Sequence, residues 1–332
     1  MTETYIITPD YNGVNFLEKY FSSLFSQTYQ EFKIIFVDNS QTSESFDFIN
    51  KNYPSRLSNQ IIYIKNPENY GFAKATNIGI KKAMDDPECK YVVCLNNDIY
   101  AESTFLEELI KCAKKNYKTG SVQSKMIWGQ YPELIDSVGI EYSKNGLGFN
   151  RGAYEPVEIY NLEEEILGCC AGACLYKRTA LEDIEYNKEY FDENFFAYYE
   201  DIDIALRLQF AGWKSIYCPT SIVYHYRGGT GGTFSSFNVY YSGRNYTYTF
   251  LKNMPGTTFL KNLHLVIFAE LAQILINILR KKPVILKAKF DAYRNFFKMM
   301  EKRKNIKKIN KKIESLFVLK WRPKSSDSIK SL

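Results

Sequence analysis

Four short runs near the N-terminus, TYIIT (4–8), FKIIFVD (32–38), IIYIK (61–65) and KYVVCL (90–95), are β-branched and almost continuously apolar. Strands covered on both faces read this way, because neither side of the pleat meets water. The segments between them, around 14–27, 44–52, 72–85 and 103–116, instead repeat apolar residues at three and four. The last of these opens with Ser103 ahead of Glu107 and Glu108, a helix-start pattern. Alternation of the two periods predicts a doubly wound, mainly parallel sheet, whose ligands bind beyond the carboxyl ends of the strands. Four polar clusters fall at such ends: Thr8–Asn12, Asp38–Ser40, Asn66–Asn69 and Asn96–Asp98.

From about 120 to 175 the pattern loosens into shorter strands and glycine-rich turns, with ILGCCAGACLYKR (166–178) its clearest apolar run. An aromatic and acidic block follows, FDENFFAYYEDIDIALRLQFAGW (191–213), then a short strand and YHYRGGTGG (224–232). No internal repeat is evident. Beyond about 240 the chain turns to aromatic-rich helical patterns and then to lysine.

Composition changes the picture in two places. The 332 residues suffice for one large α/β domain with an appendage, and the opening MTETYIITPDYNG enters a strand pattern without a signal-like apolar stretch, so secretion is not expected. The seven cysteines form no CxxC pair. Cys94, Cys169, Cys170 and Cys174 sit in apolar runs as small core residues, so a cysteine metal cluster is not expected. The net charge of +6 hides a segregation: residues 280–332 hold 18 Lys/Arg against 4 Asp/Glu, and the rest of the chain is acidic. Such a tail seeks an anionic surface.

Several residues then carry chemistry. Asp98, ending a strand beside the amides of Asn96 and Asn97, suits a hard divalent ion that shares a diphosphate, although a lone Asp there also serves as a turn former. Asn69 to Asn77, with Gly71 and Lys74, is a glycine turn entering a helix, a place for phosphate or for an ordinary βα loop. Neither GxGxxG nor a Walker loop occurs. Glu200-Asp201 opens an amphipathic helix after an aromatic run. The pair suits the helix dipole, and in a partly dry cleft it also suits a general base with a raised pKa. Asp203 and Arg207, four apart, are expected to pair on that helix's exposed face. His225, one of two histidines, follows the strand SIVYH and is either structural or a partner for Asp98 on one metal.

Taken in order, YIITPDYNG, IIFVDNSQTSES, NPENYGFAKATNIGI, VVCLNNDIY, GACLYKR, the aromatic and acidic block and VYHYRGGT resemble family 2 glycosyltransferases of the GT-A fold, nearest their rhamnosyltransferase-like branch, over about residues 3–253. The resemblance implies a Rossmann-like, mainly parallel sheet flanked by helices in a catalytic domain over 1–240, with a nucleotide-sugar half to about 100 and an acceptor half beyond it. It implies that Pro9, Tyr11, Asn12 and Asp38 hold base and ribose, and that Asn69, Lys74, Asn77, Asn96 and Asn97 surround the nucleotide sugar. Asp98 and His225 would hold Mg²⁺ or Mn²⁺, Asp201 would be the catalytic base, and Glu200 and Trp213 would lie near the acceptor. Two departures stand out: Asn96 replaces the first carboxylate of Asp-x-Asp, and Ala75 replaces a frequent glycine. The Gln-x-x-Arg-Trp motif of processive synthases is absent, so addition of one or a few sugars is expected. The implied reaction is inverting transfer from a nucleotide diphosphate-sugar, dTDP-rhamnose or a UDP-sugar, to a glycan or lipid-linked acceptor.

In the extension, 241–332, Leu260, Leu263, Ile267, Leu271, Ile274 and Ile278 form a helical stripe with Glu270, Gln273 and Asn277 on another face, and Leu286, Phe290, Tyr293, Phe297 and Met300 form a second stripe amid lysines and arginines. The first stripe is barely long enough to span a bilayer and is interrupted, so an interfacial helix on an anionic membrane at the cytoplasmic side is expected. The alternative is a core-packing appendage or a homodimer surface. Nucleic-acid binding is not expected. Sugar nucleotidyl transfer and a non-catalytic nucleotide-sugar-binding subunit are the competing functions.

Overall fold

The computed structural model describes residues 2–227, 235–306 and 317; the glycine-rich stretch after Arg227 and most of the basic tail beyond 306 lie outside the described residues. The chain begins β1 (Thr4–Asp10), α1 (Leu17–Phe25), β2 (Phe32–Asp38), α2 (Glu44–Asn52), β3 (Ile61–Lys65), α3 (Gly71–Met84) and β4 (Tyr91–Leu95). It continues through β5 (Ile99–Ala101), α4 (Phe105–Lys114), β6 (Thr119–Trp128), β7 (Tyr131–Ser137), β8 (Ile140–Tyr142), β9 (Gly148–Asn150), β10 (Glu164–Ile166), β11 (Ala173–Lys177), α5 (Arg178–Ile184), α6 (Glu200–Phe210) and β12 (Lys214–His225). Helices α7 (Ser236–Asn253), α8 (Gly256–Leu279), α9 (Val284–Arg294) and α10 (Phe296–Lys304) complete it.

Ten strands form one sheet along the path β10-β12-β6-β11-β4-β1-β2-β3, with β5 on β12 and β7 on β6. The β3-β2-β1-β4 half is parallel, β6 and β12 are parallel to each other, and β11 joins the halves antiparallel to both neighbours. The continuous apolar runs are explained by cover on both faces. Tyr5, Ile7, Ile35, Val37, Val92 and Cys94 pack with α3, α5 and α6, whereas Ile6, Ile34, Phe36, Val93 and Leu95 pack with α1, α2 and α4. Strand order reverses at β1, between β2 and β4, so the crevice beyond Asp10 and Leu95 is the sheet's natural ligand position.

Two local expectations are corrected, and a third, that the cysteines are core thiols, holds. Helix α4 is preceded by Thr104 rather than Ser103, and no side chain caps it. Asp203 and Arg207 do pair, at 2.9 Å, but both are buried: Asp203 also accepts from Lys252 at 2.7 Å and Asn253 at 2.8 Å, so α6 is clasped by α7 and not solvated. The cysteines are all free thiols, buried except for the half-buried Cys170.

Candidate active site

The polar strand ends converge as expected. Pro9, Tyr11, Asn69, Asn96, Asn97, Asp98, Glu200, Asp201 and His225 all line one cleft of about 630 Å³, a size that admits a nucleotide-sugar-sized ligand. Its floor is the β1 and β4 ends. Asp10, buried, accepts from Asn97, from Ser45 at 2.8 Å and from Ser40 at 3.3 Å, and burial pushes its carboxyl up to about 6. A Cβ at Gly13 would overlap the Asn97 amide, so only glycine lets the β1 loop come this close.

Asp98 and His225 meet because β5 pairs with the end of β12, setting Ile99 opposite His225. His225 Nε2 lies 3.3 Å from Asp98 Oδ1, and its Nδ1 lies 2.8 Å from Oδ2 of buried Asp136. Arg227 Nε donates to the other Asp136 oxygen at 2.6 Å. Burial alone would lower the pKa of His225, but the two carboxylates hold it up to about 10. Burial also opposes the charge on Asp98, yet His225 keeps its carboxyl below the usual range. One carboxylate and one imidazole, both on the cleft, fit a hard or borderline divalent ion such as Mg²⁺ or Mn²⁺. Among the described residues no three His, Cys, Asp or Glu side chains are grouped to hold a metal by themselves, so the oxygens of a bound diphosphate would have to complete the shell. Asp136 would fix the imidazole by its other nitrogen, as outer carboxylates do for metal-bound histidines.

On the same cleft, the aromatic block ends in a strained turn: Phe196, Tyr198 and Tyr199 have φ of 65°, 66° and 69°. This conformation is costly for side-chain-bearing residues. Two elements hold it. Gly71, at φ +74°, lets α3 start against the turn, where a Cβ would stand 2.6 Å from the Phe196 carbonyl oxygen, and Ala73 N–H donates to that oxygen at 3.1 Å. From α7, buried Asn245 Nδ2 reaches the carbonyls of Phe195, Ala197 and Tyr198 at 2.8, 2.8 and 2.7 Å, and Arg244 donates to those of Asn194 and Phe195 at 2.8 and 2.9 Å. The turn delivers Glu200 and Asp201 as the first residues of α6. Burial pushes Asp201 up to about 6, against the Ile202 and Ala171 N–H groups that favour its charge. Burial, with Asp201 beside it, holds Glu200 well above the ordinary carboxyl range, and its buried Oε2 has no hydrogen-bond partner. A carboxylate titrating near 6 on a cleft wall is equipped to accept a proton from a hydroxyl. Phe196, Tyr198 and Phe237 add an aromatic side to the cleft, and Asn238 and Ser242 of α7 complete it.

Five expected site residues stand outside this cleft. Asn12 is exposed at φ 54°, and its backbone N–H donates to Ser40 at 2.7 Å. Asp38 is buried toward the β2–β3 edge, where Tyr63 and Lys65 donate to it, the latter at 2.8 Å. Lys74 Nζ sits 3.5 Å over the Tyr70 ring. Asn77 faces the opposite way, with Nδ2 donating to Phe191 O at 2.7 Å and Oδ1 accepting from Phe191 N–H at 2.9 Å, and so pins the aromatic block to α3. Trp213, expected near the acceptor, instead donates to Asp183 at 3.1 Å and packs against Gly120. Ala75 is simply core. Conversely, Asp10, Asp136, Arg227 and residues of α7 line the cleft without being among the residues the sequence singles out. Asp136 carries no signal, because it lies 89 residues from His225 in an unremarkable strand; Asp10 stood in the first polar cluster.

A parallel half-sheet with a metal-suited carboxylate at its switch point, faced by a base-suited carboxylate at a helix start, is the layout of a sugar-nucleotide-dependent transferase. The sequence model of glycosyl transferase family 2 matches residues 5–185, more than half of the chain, and the protein belongs to that family. Among curated relatives, the glycosyltransferase GlyA of Streptococcus pneumoniae is 30% identical over 48% of this chain and 21% of its own length. The N-acetylglucosaminyl-diphospho-decaprenol L-rhamnosyltransferase of Mycobacterium tuberculosis is 23% identical over 68% of this chain and 77% of its own. The chain thus spans only about a fifth of the first of these. Among solved structures, GalNAc-T7 with UDP, GalNAc and Mn²⁺ superposes with a TM-score of 0.64 at 13% identity, covering 90% of this chain and 56% of that one, and establishes a likeness of fold, GT-A.

Proposed function

We propose that this protein is an inverting, metal-dependent glycosyltransferase that moves a sugar from a nucleotide diphosphate-sugar to a hydroxyl of a glycan or lipid-linked acceptor. The observation that carries this reading is that the Asp98–His225 pair and the raised carboxylate of Asp201 line one cleft. The donor's base and ribose lie over the β1 end beside Pro9 and Tyr11, with Asn69, Asn96 and Asn97 as neutral hydrogen-bonding partners. Asp98 and His225 would hold Mg²⁺ or Mn²⁺, which, once bound, would offset negative charge on the diphosphate. Asp201 takes the acceptor proton as the acceptor oxygen attacks the anomeric carbon and the bond from that carbon to the diphosphate breaks on the opposite face. Glu200, whose protonated form is favoured by burial and by Asp201 beside it, lines the cleft next to the base.

Rhamnose is the first reading for the sugar, supported by the likeness to the mycobacterial rhamnosyltransferase over most of this chain and by the single carboxylate of the strand-end motif. The test is Asp201→Asn. Transfer should fall by roughly 10²-fold or more while donor-induced thermal stabilisation, measured with nucleotide sugars with and without Mg²⁺ or Mn²⁺, is kept. Transfer near the parent rate removes Asp201 from this role. Pyrophosphate release from nucleoside triphosphates would instead identify a nucleotidyltransferase.

A further inference from the structure

Helix α8 buries Val266, Ala269 and its one carboxylate, yet leaves most of its large apolar side chains outside. Its carboxylate Glu270 is buried against α7 and α9, where it accepts from Thr247 and Tyr293 and lies 3.4 Å from Lys289 Nζ, while Lys289 also donates to Gln273 at 3.3 Å. Leu271, Leu275, Ile278 and Leu279 point outward; the first two are 61% and 59% exposed. Leu286, Phe290 and Phe297 extend this apolar surface along α9 and α10. Eleven of the sixteen large hydrophobic residues exposed among the described residues fall between 260 and 297. A helix in water hides its apolar face and shows its polar one; the reverse arrangement fits an apolar medium outside.

We propose that the outer face of α8 and α9 is a docking surface for an anionic phospholipid bilayer, with both helices lying in the plane of the interface. Thr258–Leu279 is long and apolar enough to cross a membrane by length and composition. Spanning is incompatible with its packing. Its polar side is locked to α7, and α7 in turn holds the catalytic turn through Asn245, so surrounding α8 with lipid would draw the active site into hydrocarbon. An in-plane helix buries only its outer stripe. Charge selects the occupant. Exposed Lys261, Lys281, Lys287, Arg294 and Lys298 flank the stripe, whereas Glu270 is buried and Asp291 accepts from Tyr240, leaving Glu301 as the exposed carboxylate of this stretch. An anionic leaflet complements this rim. A second copy seated two-fold on the same face would bring like charges together.

The placement also deepens the proposed function, and rests on it. Phe237 and Ser242 of α7 line the cleft, while Val239 between them packs on Ile285 and Ala288 of α9. The cleft is therefore separated from the lipid-facing side of α9 by α7 and α9 themselves, about two helix diameters or ~20 Å. An acceptor whose hydroxyl stands at the far end of an extended headgroup of about that length reaches Asp201 while its lipid stays in the leaflet.

The test is co-sedimentation of the full chain with phosphatidylcholine vesicles, with and without phosphatidylglycerol. Binding should require phosphatidylglycerol, weaken with added salt, fall roughly five-fold in each of K287Q and K298Q, and fall roughly ten-fold or more in L271E/L275E. These leucines are exposed, so unchanged circular dichroism and unchanged metal-dependent stabilisation by the donor establish that the variant is folded. Full vesicle binding by the folded variant overturns the proposal. So does a parent chain that ignores vesicles and forms a dimer dissociated by L271E/L275E, or one that binds DNA and not vesicles. Vesicle binding without any donor stabilisation in the parent leaves the surface standing and removes the transferase reading.

Discussion

Replacing Asn245 by alanine tests whether α7 positions the catalytic carboxylate. The Asn245 amide is held within 2.8 Å of three carbonyls of the turn before α6. Phe195 keeps Arg244 as a partner in the variant, so the carbonyls of Ala197 and Tyr198 lose theirs. At about 1 kcal/mol per net hydrogen bond, and up to about 3 kcal/mol where a buried carbonyl is left unpaired, the grip on the turn weakens by roughly 2–4 kcal/mol. The same turn stores strain at Phe196, Tyr198 and Tyr199, of order 1–3 kcal/mol each, so a loss of this size is enough to let it relax. Relaxation displaces Asp201, which directly follows Tyr199 and Glu200, and a shift of about 1 Å at a reacting group costs on the order of 10²-fold. We therefore expect kcat to fall about 100-fold with the donor KM within a few-fold of the parent, because the donor side of the cleft is built on β1 and β4. Initial rates at varied donor, with hydrogen exchange across residues 194–199, measure both halves of the argument. If exchange in the turn rises strongly and kcat stays near the parent value, the turn's geometry does not set the base and the reasoning fails.

Other consequences follow from the same geometry. Burial raises Asp201 to about 6 and the working base is the carboxylate, so the transfer rate should climb through pH 6, falling about ten-fold per unit below it; a rate flat from pH 5 to 8 would contradict this. Asp136→Asn should weaken Mn²⁺ binding, read by paramagnetic resonance in the presence of donor nucleotide, by about 10–100-fold, since His225 loses the carboxylate that orients it; unaltered affinity would leave Asp136 as a purely structural partner of Arg227. Gly71→Ala should cost about 1–3 kcal/mol in denaturant unfolding, from both its positive φ and the contact with Phe196, and an unchanged midpoint would refute the close approach.

Local chemistry made much of this protein legible from sequence. A strand covered on both faces has to be apolar at every position, and a chain leaving such a strand has to become polar where it meets a ligand and water, so β1 to β4 and the residues Pro9, Tyr11, Asn96 to Asp98 and Asn69 could be read from short windows. The Glu200-Asp201 pair was likewise legible as carboxylates set into an aromatic run. Where side chains point was not. Asn77 and Asp38 lie in segments that do border the cleft, yet the helix phase turns Asn77 toward Phe191 and the strand edge gives Asp38 to Tyr63 and Lys65.

Sequence alone therefore determined the alternation of strand and helix, the sheet edge where polar groups gather, and the charge and apolar stripes of the C-terminal helices, because each depends on neighbours within a turn or two of chain. Tertiary structure decided what depends on partners far apart in sequence. Asp136 reaches His225 across 89 positions, Asn245 clamps a turn 47 to 50 residues away, and Glu270 is drawn inward by Lys289 and Thr247, while Leu271 and Leu275 stay outside. A buried charge or amide has to find its partner wherever the fold supplies one, and that choice leaves no local pattern.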